Sequence, residues 1–175
     1  MISMRRFIIG TVAVFLLGSA FHFLFDALGR SVLAAPFFAV NESVWEHLKL
    51  LSTAAILWMA ADFFLAEKSL RPRFFAARAV ALPIALLLIP ALFYFMKEGF
   101  GVESLPVDIG NFLVACIAYE VIAMRLEARH PAIAKWNAVG IAVLIGIFAL
   151  FVVFTFMPPH LPLFLDTPTG GYGIQ

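Results

Sequence analysis

Five stretches of this chain are long and apolar enough to cross a bilayer, and nothing else in the sequence constrains its fold as tightly. A hydrocarbon core of about 30 Å takes roughly 20 helical residues to cross. The qualifying stretches run from about Phe7 to Leu28, Val44 to Ala66, Phe75 to Met96, Val107 to Met124 and Trp136 to Met157. The fourth is the most interrupted, by Asp108, Asn111 and Glu120. Hydrophobic residues make up 63% of the chain and charged ones 13%, too few charges to cover the surface of a water-soluble domain of this size. The expected fold class is therefore all-α and integral to the membrane, a bundle of five transmembrane helices over residues 1–157. Residues 158–175 hold four prolines and three glycines and are expected to fold back as a tail over the outer face. The N-terminus has the basic start and apolar core of a signal peptide. Its apolar run continues past Gly18-Ser19-Ala20 to Leu28, so it reads as an uncleaved first span.

Orientation follows from the basic residues. Arg5 and Arg6, then Lys68, Arg71, Arg73 and Arg78, then Arg125, Arg129 and Lys135 place nine of the twelve Lys and Arg on one side. That side is expected to be cytoplasmic, with the N-terminus inside and the C-terminus external. A net charge of +1 and the lack of a basic stripe argue against a nucleic-acid partner. The single cysteine, Cys116, rules out an intrachain disulfide and a cysteine-based zinc cluster.

The scarce polar groups gather at the external ends of the spans. His22 and Asp26 lie four residues apart on the first span, on one face. The segment "VNESVWEHLK", Val40 to Lys49, brings Glu42, Glu46 and His47 to the start of the second. His160 and Asp166 belong to the tail. A purely structural reading explains part of this. Ser43 and Glu46 form a capping box, Trp45 anchors at the interface and Lys49 snorkels toward the headgroups. Glu42, His47, His22 and Asp26 remain. Ionisable groups in hydrocarbon generally face a bundle interior or a wet cavity, and consecutive antiparallel spans put their neighbouring ends together. His22, Asp26, Glu46 and His47 are the expected ligands of a divalent transition metal such as Zn²⁺. Glu42 is the expected general base, and His160 and Asp166 are lid residues with a catalytic contribution. Asp62 and Glu120, nearer the other ends of their spans, read as structural partners of Arg78 or, alternatively, as a proton path.

"VNESVWEHLKLL", with "FHFLFD" before it and "LPLFLDTPTGGYG" near the C-terminus, resembles an uncharacterised family of small bacterial multipass membrane proteins, known only as a domain of unknown function. The resemblance spans nearly the whole chain and implies no activity. The leading functional expectation is a metal-dependent hydrolase or transferase in the bacterial cytoplasmic (inner) membrane, acting at the outer leaflet on a lipid or lipid-linked substrate. The alternatives are a small proton-coupled transporter or ligand-binding protein, and a structural or accessory subunit.

Overall fold

The computed structural model describes residues 3–174; Met1, Ile2 and Gln175, at the ends of the two expected regions, lie outside the described residues. Five helices account for most of the chain: α1 (Met4–Ala27), α2 (Val44–Leu65), α3 (Phe74–Phe100), α4 (Leu105–Arg129) and α5 (Asn137–Phe156). Among the described residues, all five are long and apolar enough to cross a membrane. Each overlaps one of the expected spans, with boundaries shifted by up to a few residues. The largest extension is in α4, which runs past Met124 to Arg129. Pro83 and Pro90 sit inside α3 without ending it. An all-helical bundle suits hydrocarbon because a helix satisfies its backbone donors and acceptors within the segment.

Helix ends are closed by side chains the sequence supplies. Ser3 Oγ accepts from the backbone N–H of Arg6, and Ser43 Oγ from that of Glu46. The start of α3 has no cap of its own. Asn137, opening α5, reaches across, and its Oδ1 accepts from the N–H groups of Phe75 and Ala76 at 2.8 and 3.1 Å. At that crossing a Cβ on Gly140 would lie 2.7 Å from the backbone of Phe75 and Ala76, so glycine permits the close approach of α5 to α3.

Polarity is distributed inside out. Large apolar side chains such as Leu16, Phe23, Leu57, Leu87 and Ile145 face outward, while Lys49, Asp62, Arg78, Glu120 and Glu127 are buried. A bilayer rewards that arrangement and water does not, so the fold marks an integral membrane protein. Because the helices alternate in direction, the bundle has two chemically distinct ends. One carries His22 and Asp26 of α1, the start of α2 and the end of α5; it is called the histidine end below. The other carries Arg6 of α1, Asp62 of α2, Arg78 of α3 and Glu127 of α4, and is called the arginine end.

The tail packs on the histidine end. A 3-10 turn (Pro162–Phe164) leads into a two-stranded hairpin, β1 (Leu165–Asp166) and β2 (Gly171–Tyr172), paired antiparallel with Leu165 opposite Tyr172. Phe164 stacks against Trp45 at 4.7 Å between centroids, and Asn41 donates from Nδ2 to the carbonyl of Gly173.

Candidate functional site

At the histidine end, three side chains converge from two helices and the segment between them. His22 is on α1, one turn below the end of the helix; His47 is in the first turn of α2; Glu42 lies two residues before α2 begins. The two imidazole Nε2 atoms are 3.2 Å apart. Glu42 Oε2 is 3.3 Å from His22 Nε2 and 3.8 Å from His47 Nε2. Ligand atoms about 2.0–2.1 Å from a tetrahedral centre lie roughly 3.3–3.4 Å from one another. The trio therefore has the spacing of three corners of such a site, and the fourth corner is uncommitted.

The lone pairs are aimed by the surrounding structure. His47 Nδ1 lies 2.8 Å from the carbonyl oxygen of Ser43. A carbonyl only accepts, so Nδ1 carries the hydrogen and Nε2 presents a bare lone pair to His22 and Glu42. This is the way an outer hydrogen bond fixes a metal-ligating histidine. Glu42 is held through its backbone: its N–H donates to Asp166 Oδ1 at 3.0 Å, and Asp166 is in turn bonded by the Thr169 hydroxyl. The hydrogen bond from His22 keeps the Glu42 carboxyl below its usual range, against the opposing effect of partial burial. Half-buried Asp108, in the first turn of α4, lies within electrostatic reach of His47.

Glu42, expected as a general base, thus stands among the three candidate ligands, and the structure does not bring Asp26 or Glu46 to them. Asp26 is 77% exposed and turns to Arg30, 3.8 Å away. Glu46 is buried and committed elsewhere: Oε2 lies 2.5 Å from Lys49 Nζ and accepts from the N–H of Val40. Lys49 donates further to the carbonyl of Ala35 and the hydroxyl of Thr155. The capping box is consequently half made, since Glu46 reaches Val40 rather than Ser43. Lys49 does not snorkel, because an internal carboxylate and two internal oxygens satisfy its ammonium. Trp45 is not at an interface but packed among Phe151, Phe154 and Phe164. This Glu46–Lys49 brace ties residues 35–40 to α2 and α5 and so sets the path of the chain into Glu42. Asp166 positions Glu42 rather than facing the trio, and exposed His160 stacks on Tyr172 in the hairpin.

The arginine end is built differently. Arg6 donates to Asp62 at 2.6 and 2.9 Å and to Glu127 at 2.7 Å. Arg78 bonds both of the same carboxylates and lies over the Phe74 ring. Asp62 is paired with Arg78, one of the two pairings the sequence left open. Glu127 and Arg6 were missed. Their signal was present: Glu127 is two helical turns from Glu120, on the same face of α4.

A bundle of five membrane-length helices with a histidine–carboxylate trio at one end defines the chain as a polytopic membrane protein with a candidate ligand site. More particularly, its residues 2–174 match the family of unknown function DUF6512, and the chain belongs to that family. No curated protein and no solved structure matches it.

Proposed function

We propose that this protein binds a divalent transition metal, Zn²⁺ being the best fit, through His22, Glu42 and His47. The observation that carries the proposal is the convergence of their three ligand atoms at 3.2, 3.3 and 3.8 Å. Two neutral imidazoles and a carboxylate are a zinc ligand set, and three protein ligands with a fourth position open are the pattern of catalytic rather than structural sites. An ion held there by His22, Glu42 and His47 would supply Lewis acidity. Asp108 is the nearby carboxylate available to take a proton. The activity that follows is hydrolysis or group transfer on a lipid or lipid-linked substrate entering from the surrounding leaflet. By the distribution of Arg and Lys, the arginine end faces the cytoplasm and the site opens on the outer leaflet, in a bacterial cytoplasmic membrane.

Metal analysis of the protein purified in detergent tests this directly. One zinc per chain is expected, removable by chelation with a fall in melting temperature, and lost in His22→Ala and His47→Ala. A metal-free wild-type protein that takes up no zinc and does not respond to chelation would overturn the proposal. Reporter fusions at the two termini test the orientation.

A further inference from the structure

One buried carboxyl is left over from the ionic network at the arginine end. Glu120 is fully buried on α4, and neither of its oxygens has a hydrogen-bond partner among the described residues. Space for it is made by α1: a Cβ on Gly10 would lie 2.7 Å from Glu120 Cδ and Oε1. The charges that act on it come from three other helices, Arg6 on α1, Asp62 on α2 and Arg78 on α3. On its own helix it is flanked by Tyr119 and Cys116, with Glu127 two turns on. The Trp58 indole N–H is turned toward it without closing a hydrogen bond of normal geometry. Arg78 Nε and the Tyr119 hydroxyl are also buried and unpartnered among the described residues.

Counting charge decides what this arrangement does. Arg6 and Arg78 are balanced by Asp62 and Glu127, each carboxylate taking hydrogen bonds from both guanidiniums. An ionised Glu120 would leave the group of five with one net negative charge inside a membrane bundle, where an uncompensated charge is costly. One proton restores neutrality. A cavity of about 100 Å³, lined by Ser3, Arg6, Glu67, Met124 and Glu127 among others, adjoins the network at the arginine end and gives water a way to approach it.

We infer that Glu120 is a proton-binding site, loaded and unloaded from the arginine end. In the loaded state it is a neutral acid packed against Gly10. On unloading, the carboxyl O–H bond breaks, the proton leaves toward water in the cavity that Arg6 and Glu127 line, and the carboxylate left behind is met by Arg78 Nε, a donor of the network without a partner among the described residues. The site is separate from the histidine trio and does not depend on a metal.

Dicyclohexylcarbodiimide, an apolar reagent that attacks protonated carboxyls in membranes, provides the test on the full chain in lipid nanodiscs. Peptide mass analysis should find the adduct on Glu120 and not on Asp62 or Glu127. Its rate should be unchanged by a chelator and fall about tenfold per pH unit once the site unloads. Glu120→Gln should remove the adduct. Gly10→Ala, which pushes a methyl into the carboxyl's space, should depress it in a protein that still melts cooperatively. A pH-independent adduct, or one on Asp62 or Glu127 instead, would overturn the inference. So would protection by sodium at constant pH, which would make Glu120 a sodium site. The wild-type pH profile decides the matter even if Glu120→Gln does not fold.

Discussion

At the arginine end, Asp62 and Glu127 each meet two guanidiniums, and none of the four residues is more than 7% exposed. At the histidine end, His22, His47 and Glu42 are 26, 35 and 53% exposed, and their ligand atoms point at one another. The first arrangement is closed: every carboxylate oxygen of the quartet is used. The second is open: the outer hydrogen bonds fix orientation while the inner ligand atoms meet only one another and remain partly exposed. Both ends place polar groups within membrane-length helices. The difference lies in whether the polar groups are consumed by the fold or only aimed by it, which separates a structural lock from a candidate site.

The hardest way to break that comparison is to open the lock. Arg78→Ala leaves Asp62 and Glu127 with one guanidinium between them, both fully buried. Losing one partner of such a network costs about 3–5 kcal/mol, so unfolding in detergent should show a loss of that size. A loss below about 1 kcal/mol would mean that the arginine end is not a lock.

A sharper version takes a locked group from the open end. Lys49→Met removes the counter-charge of buried Glu46 and two further hydrogen bonds. The expected destabilisation is about 3 kcal/mol. Zinc binding should weaken with it, because the brace directs residues 35–40 toward Glu42. His22→Ala should reverse the balance, abolishing zinc binding with a stability change under about 1 kcal/mol between the metal-free proteins. Equal stability losses from the two variants would erase the distinction between brace and site.

Acidification probes the trio next. The Glu42 carboxyl lies below its usual range because His22 bonds it, so it stays ionised through mildly acidic pH. Protons therefore compete with zinc at the imidazole nitrogens. Affinity measured by titration should fall as pH is lowered, by about tenfold or more per pH unit once the imidazoles are protonated. The carboxyl itself acts lower on the scale. A depressed Glu42 stabilises the fold above its unfolded value of about 4.3, and that contribution disappears as pH falls through the lower folded value. Its half-exposed position keeps the contribution small.

The five spans were legible because length and apolarity suffice to define them. The meeting of His22 with His47 was legible because consecutive antiparallel helices must put neighbouring ends together. What could not be read was the facing of each side chain around helices that are apolar on nearly every side, since such helices carry no polar stripe to mark a buried face. Thus Arg6 read as a flanking charge when it closes a buried quartet. The separation of Glu46 from Glu42 has a different reason. Their spacing of four residues implies a shared face only inside a helix, and Glu42 lies before α2 starts at Val44. Its chain is held by Asp166 of the tail, a contact across 124 positions that no local pattern announces.

Asp26 tests the boundary of the site with the smallest expected effect. It follows His22 by four residues, and the same spacing argument made it a ligand candidate. Four residues also carry it about 6 Å further along the helix axis, to the last turn of α1, beyond the level at which His47 and Glu42 meet His22. There it is mostly exposed and 3.8 Å from Arg30, an i,i+4 pair of the kind that contributes about 0.3–0.5 kcal/mol at most. Asp26→Asn should therefore change stability by no more than about 0.5 kcal/mol and leave the zinc titration superimposable on wild type. A large loss of zinc affinity in Asp26→Asn would extend the site to the end of α1, and the open arrangement would then hold four protein ligands with no position left for a substrate.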